Sequence, residues 1–382
     1  MTCDLDTAVK IAAMKLSEIK ETYGGARTNC ESAYAFQKFT RETIGSPYVD
    51  NCGRVCHAPS LKGMRTTIGE GAATNPYNDI YETEFMVVIG SNTMEAHLII
   101  ANRMVAQAKK LNNLAVIDVR ETKMATLAKY NCVIPHEANL LILNMMAYVI
   151  IDEELYNKEF IENRTKGFEA YKEQILNDPY ANPKFFEQIE GYEYFAKMIP
   201  NIAREYAVKK SMIFWGLGIT EHLDGSYAVM AITHLVLLTG NIGKTGAGLM
   251  PLRGQNNVPG ACDMGCLPYY DPDYKTPEKI GLITPQLIDA MLEGKIKALL
   301  NMGEDISHIH PNINKSPYGE SEALRVRYTD RVKERTLFCT FHHAKSRINA
   351  LFGDECDELI MTARFKSVKV DVIPVGDEVA CS

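Results

Sequence analysis

Three short apolar runs, each ending at a glycine or an aspartate, constrain this chain more than any other feature. They read FMVVIG at 85–90, LAVID at 114–118 and SMIFWG at 211–216. Continuous apolar runs of this length mark strands covered on both faces, and a helix between two of them makes a parallel strand–helix–strand unit. The apolar spacing predicts that helix over 94–111, another over 139–152 and a third over 226–238. The alternation predicts an α/β fold with Rossmann-like three-layer αβα domains and parallel sheets, whose ligands sit beyond the carboxyl ends of the strands. Those ends read Gly90-Ser91-Asn92, Asp118-Val119-Arg120 and Gly216-Leu217-Gly218, small or polar where a crevice would lie.

Around this centre, residues 4–22 carry apolar positions near a 3.6 period with Asp4 as N-cap, and 32–44 reads as a second helix. Residues 63–78 are rich in turn formers, 284–293 with 296–301 read as a helix and a strand, and 311–322 turn polar and loop-like. Beyond that boundary 336–339 and 368–372 read as short β segments. The expected organisation is a central α/β domain over 52–255, a second built from 1–51 and 256–317, and a small C-terminal β remnant over 318–382.

Charge and composition exclude several classes. The 382 residues carry 41 Lys and Arg against 48 Asp and Glu, a net charge of −7, so the basic surplus that nucleic-acid binding draws on is missing. The longest apolar stretch, 140–151, is interrupted by Asn144 and falls short of the roughly 20 residues a membrane span needs. The first residues place acids before the apolar part, unlike a secretory leader, so a cytoplasmic location is expected. The 10 cysteines are too dilute for a disulfide framework, and no C-x-x-C occurs, which weakens a zinc or iron–sulfur reading of Cys52, Cys56, Cys262 and Cys266.

Two nucleotide-binding patterns fail on spacing. Gly243-Lys244-Thr245 lacks the glycine that a phosphate loop places five positions earlier, since residue 238 is Leu, and Gly216-Leu217-Gly218 lacks the third glycine of a nicotinamide fingerprint. Two other segments carry chemistry. RVCHAPS at 54–60 sets a thiol beside a histidine and near a basic residue, which favours a thiolate and offers a proton acceptor. PLRGQNNVPGACDMG at 251–265 gathers amides and glycines around one arginine, costly in a core and typical of a polar ligand site.

RVCHAPS, GSN followed by EAH, the D-x-R at 118–120, WGLGITEH, LTGNIGKTGAG and PLRGQNNVPGACDMG stand in the order seen in molybdenum or tungsten bis-molybdopterin guanine dinucleotide enzymes. The chain most resembles the catalytic α subunit of formate dehydrogenase, over about residues 3–315 and again over 327–374, where TDRVKERTLFCTFHHA is similar to the family's C-terminal pterin-binding domain. The resemblance implies two-electron oxidation of formate to CO2, or the reverse. By the motif matches Cys56 ligates the metal, His57 is the adjacent base and Arg253 anchors the carboxylate. Asn92, Glu95, Asp118, Arg120, Leu217, Glu221, Gln255 and Asn256 would line the guanine dinucleotide crevice. The bland reading of Asn92, Asp118 and Arg120 is helix capping.

The chain departs from the family pattern. It starts after the point where the family's Cys-rich module for a [4Fe–4S] cluster ends, so no iron–sulfur cluster is expected in it. Residues 316–326 stand where members carry much of the C-terminal half. Pro259 stands for a usual Gln, Gly53 for Ala and Cys266 for Ala. An iron–sulfur electron-transfer or completing subunit is the expected partner. The competing expectations are an inactive paralogue serving as a binding or assembly subunit, and another molybdopterin reductase such as a nitrate reductase.

Overall fold

The computed structural model describes residues 4–17, 22–24, 26–303, 324, 336–339, 348–353, 355–368 and 370–371. The chain divides into two compact units, residues 1–56 with 253–313, and 57–252 with 314–382. The sequence reading set the crossings at 51/52 and 255/256; here they fall at 56/57 and 252/253. Seven strands lie among the described residues: β1 (Thr22–Gly24), β2 (Phe85–Ile89), β3 (Leu114–Asp118), β4 (Tyr130–Val133), β5 (Ser211–Trp215), β6 (Gly248–Pro251) and β7 (Leu300–Met302).

In the second unit β2 to β6 form one parallel sheet in the order β4-β3-β2-β5-β6, with Val88 registered against Val116 on one side and Phe214 on the other. Strand alternation sorts its side chains into two cores. Phe85, Val87, Ile89, Ala115, Ile117, Ile213 and Trp215 face a layer built on the helices Asn139–Asp152, Glu193–Val208 and Gly225–Thr239. Met86, Val88, Leu114, Val116, Met212 and Phe214 face the helix Leu98–Leu111. Both faces are therefore covered, which is why these strands read as unbroken apolar runs.

The chain leaves β2 toward β3 and β4, then returns to β5 on the other flank, so the strand order reverses between β2 and β5. Ligands of doubly wound sheets bind at the carboxyl end of such a switch. There Gly90, at φ +58°, accepts a hydrogen bond on its carbonyl from Gly218 N–H at 3.0 Å. A Cβ on Gly90 would stand 2.8 Å from the Gly218 carbonyl carbon, and one on Gly218 would stand 2.7 Å from Gly90 Cα. Two backbones approach too closely for any side chain, and the two glycines make that approach possible.

The first unit pairs β1 with β7 in parallel. It also holds the helices Leu5–Ser17, Cys30–Lys38 and Thr284–Leu292. Asn29 caps the second of these, its Oδ1 accepting from Ser32 N–H at 2.8 Å. The helix expected at 32–44 starts at Cys30 and loosens into a π-helical turn over Phe39–Ile44.

Several expectations are corrected. The turn-rich reading of 63–78 is wrong at its start, since Ala58–Ile68 is helical with Pro59 in its first turn, where proline fits. The helix expected at 94–111 breaks at His97, whose φ of −138° is not helical. The strand at 296–301 is shorter and shifted, to Leu300–Met302. Residues 336–339 form no strand, and beyond them among the described residues only an antiparallel bridge, Cys356 with Ala363, has β character. The boundary at 311–322 lies outside the described residues, as do residues 18–21 of the first helix and parts of the segments at 329–344 and 368–372.

Gly90→Ala combines a left-handed φ with a backbone collision, so it is expected to lower unfolding free energy by about 2 kcal/mol or more. Urea unfolding should show an earlier midpoint at unchanged slope.

Candidate active site

In the first unit, Cys56 ends a short 3-10 turn, Cys52–Val55, whose geometry is locked from beneath. Asn51 caps the turn, its Oδ1 accepting from Gly53 N–H at 2.7 Å while its Nδ2 donates to the Cys266 carbonyl at 2.6 Å. Arg54, within the turn, is fully buried and donates through Nε to Asp50 at 3.1 Å and through Nη2 to the Tyr269 hydroxyl at 3.1 Å. Burial alone would lower the Arg54 pKa, but the Asp50 carboxylate and Tyr269 hold it above the ordinary guanidinium value. Asp50 also accepts from Thr284 N–H and Oγ1 at 2.8 and 2.7 Å, which ties the turn to the start of the Thr284–Leu292 helix. Cys56 is itself buried, at 5% exposure.

Arg253 lies in the same unit, partly buried. Burial is the largest influence on its guanidinium and lowers its pKa, opposed by the neighbouring Cys262 sulfur and then by Cys56. The guanidinium therefore belongs to the same electrostatic neighbourhood as both sulfurs. Cys262 was not among the expected site residues. Burial pushes its thiol up to about 11 against the pull of Arg253, so it stays protonated at neutral pH. Gln255 spends its Oε1 on Ala26 N–H at 3.1 Å, and Asn256 is exposed.

In the second unit, His57 stands at the N-cap position of the Ala58–Ile68 helix without a side-chain capping bond, and its Nδ1 lies 2.8 Å from Ser60 Oγ, which takes a hydrogen bond from Trp215 Nε1 at 2.8 Å. The expected crevice residues gather at the carboxyl ends of β2, β3 and β5. Asn92 Nδ2 donates to Glu95 at 2.7 Å, and Asn92 Oδ1 is buried without a partner among the described residues. Asp118 accepts from Arg120 N–H at 3.2 Å, and burial raises its pKa. Leu217 opens a four-residue helical turn that ends at Thr220, next to Glu221. Glu221 is buried with its pKa raised by desolvation, and it pairs with Lys366 Nζ at 2.8 Å. His222, beside it, is pushed down to about 4 by burial and is neutral at physiological pH.

The sequence reading missed the contribution of the later chain to this end of the sheet. Besides Lys366, Phe338 lies 4.3 Å from the Arg120 guanidinium, and Asp357 caps the Gly225–Thr239 helix by accepting from Ser226 N–H and Oγ, each at 2.8 Å. These pairs are far apart in sequence and carry no local signal.

The comparisons with known proteins fit this arrangement. Residues 6–322 match the family model described as molybdopterin oxidoreductase. The chain belongs to the molybdopterin oxidoreductase family. It is 37% identical over 329 residues to formate dehydrogenase H of Escherichia coli, covering 78% of this chain and 45% of that protein. It is also 37% identical over 330 residues to the α subunit of F420-dependent formate dehydrogenase of Methanocaldococcus jannaschii, covering 79% and 48%. The chain thus spans about half the length of these curated relatives. Acetylene hydratase from Pelobacter acetylenicus shares the fold, with a TM-score of 0.57, 23% identity, and coverage of 65% of this chain and 34% of that one.

A molybdopterin oxidoreductase implies a molybdopterin cofactor with molybdenum or tungsten, and the residues present fit one. At the carboxyl ends of the strands the buried Asn92 Oδ1 has no partner among the described residues and awaits a donor. Among the described residues no three His, Cys, Asp or Glu side chains converge as a metal-binding group. The three departures from the family pattern are locally accommodated. A Cβ at Gly53 would meet Asn51 Oδ1 at 2.8 Å, Pro259 sits in the first turn of the Val258–Asp263 helix, and Cys266 is buried with Sγ 3.2 Å from the Ala33 carbonyl. No helix among the described residues is long and apolar enough to cross a membrane.

Removing one partner of the buried Asp50–Arg54 pair strands a charge. Asp50→Ala is expected to cost about 3–5 kcal/mol, and the double change Asp50→Leu with Arg54→Met to recover much of it. Thermal unfolding of the three proteins measures both effects.

Proposed function

We propose that this chain carries the formate-oxidising centre of a formate dehydrogenase, converting HCOO− to CO2, one proton and two electrons, or the reverse. The supporting observation is the buried Cys56 sulfur in the electrostatic neighbourhood of the Arg253 guanidinium, within a family whose cofactor brings a pterin-held metal. Formate is a small planar anion, and a guanidinium grips it through two parallel hydrogen bonds. Burial makes that grip stronger than it would be in water.

The cofactor would supply a molybdenum or tungsten ion able to take up the two electrons, which no side chain can do. Cys56 would hold the metal through a soft thiolate. By the motif matches, Asn92, Glu95, Asp118, Arg120, Leu217, Glu221, Gln255 and Asn256 would hold the guanine dinucleotide form of the pterin. Asn92 Oδ1 is an acceptor for a base or ribose donor, and Lys366 beside Glu221 leaves that carboxylate neutralised. His57 either takes the proton or donates a hydrogen bond to the substrate, depending on which ring nitrogen carries hydrogen. The electrons then need an acceptor, and an iron–sulfur electron-transfer subunit is the partner we propose. The reaction is placed in the cytoplasm, where thiols stay reduced.

In natively purified, cofactor-loaded protein with its co-purifying partners, Cys56→Ala should abolish formate-dependent dye reduction. Arg253→Ala should raise KM for formate by about tenfold or more, with a smaller change in kcat. Undiminished turnover in Cys56→Ala would contradict the reading.

A further inference from the structure

Arg253 sits in a stretch, 252–257, that is neither helix nor strand, between β6 and the Val258–Asp263 helix. A guanidinium carried on such a stretch keeps one position only if other contacts tie the backbone down. Two amides of the same stretch supply ties. Gln255 Oε1 accepts from Ala26 N–H at 3.1 Å, and Asn257 Nδ2 donates to the Thr28 carbonyl at 2.9 Å. Both partners lie in residues 26–30, between β1 and the Cys30–Lys38 helix, so the ties reach a segment with regular structure on either side.

Asn257 is the more telling of the two. It stands at the N-cap position of the Val258–Asp263 helix, where an asparagine ordinarily turns its side-chain oxygen onto the first free N–H groups, yet it makes no such bond. Its carboxamide is turned away instead: Nδ2 reaches the Thr28 carbonyl and lies 3.6 Å from Cys30 Sγ, and Oδ1 lies 3.9 Å from the same sulfur. Gly260 makes the room. A Cβ there would stand 2.2 Å from Asn257 Oδ1 and 2.7 Å from Cys30 Sγ. The helix thus forgoes a capping bond and carries a glycine in place of a better helix former, two local costs that the long-range tie accounts for.

We infer that Asn257, in the space that Gly260 leaves beside Cys30, clamps the Arg253 stretch to residues 26–30 and so acts as a positioning residue for the guanidinium rather than as a helix cap. The clamp stands on geometry alone, whereas its effect on formate rests on the formate reading. Asn257 touches no substrate in this scheme; it acts through Arg253.

The test is Asn257→Ser, which keeps a good N-cap residue and adds no charge but is too short to reach Thr28. In natively purified, cofactor-loaded protein with its partners, it should raise KM for formate by about fivefold, the worth of one such hydrogen bond, with kcat changed by less than about twofold. In the same preparation the half-buried Cys30 thiol should react with iodoacetamide about fivefold faster, read by peptide mass mapping, because the carboxamide no longer lies against it. Gly260→Ala, which drives a methyl group onto that carboxamide, should also raise KM although alanine is the better helix former, and it decides if the serine variant does not fold. Unchanged Cys30 labelling in folded Asn257→Ser overturns the clamp whatever KM does. Faster labelling with unchanged KM leaves a tie that does not position Arg253, and that also overturns the inference. A wild-type protein that does not oxidise formate removes the formate reading, and the clamp is then upheld or overturned by the labelling.

Discussion

The contact between the Gly90 and Gly218 backbones governs the second unit. It sits where the strand order reverses, and it closes the gap between the ends of β2 and β5 without any side chain in the way. Everything assigned to cofactor binding in this unit is arranged around that bare seam: Asn92 two residues beyond Gly90, Glu221 three beyond Gly218, and Asp118 at the end of the neighbouring β3. A doubly wound sheet has one such reversal, so the location of a ligand follows from topology before any motif is considered.

The first unit uses a different device. Cys56 stands at the end of a turn whose neighbour Arg54 is a fully buried cation, neutralised by Asp50 and Tyr269 and fixed again through Thr284. Buried ion pairs of this kind contribute little net stability, but they tolerate few alternative geometries. The metal-holding role proposed for Cys56 would gain from that rigidity. Arg253, by contrast, has its pKa lowered chiefly by burial, against the neighbouring Cys262 and Cys56 sulfurs.

Much of this was legible in the sequence, and the failures have physical causes. β2, β3 and β5 were readable because strands buried on both faces need unbroken apolar runs. β4 and β6 are the edges of the sheet, and YNCV and GLMP are too short and too mixed to announce themselves. The family and the Cys56, His57 and Arg253 segments were readable from ordered motifs. Lys366, Phe338 and Asp357 were not, since each meets a partner more than a hundred residues away and a lone Lys, Phe or Asp carries no spacing signal. Ser60 and Trp215 lay inside quoted motifs, yet only the folded structure brings the indole nitrogen to the hydroxyl, at 2.8 Å.

The central claim is that a pterin-held metal sits with Cys56 in this chain. Elemental analysis for molybdenum, tungsten and iron, with assay of released pterin, on protein purified natively with whatever accompanies it, tests that claim most directly. The account predicts molybdenum or tungsten in stoichiometric amount together with pterin, and iron tracking a co-purifying partner. A folded protein holding neither metal nor pterin would contradict it and identify a family member that keeps the fold without the chemistry.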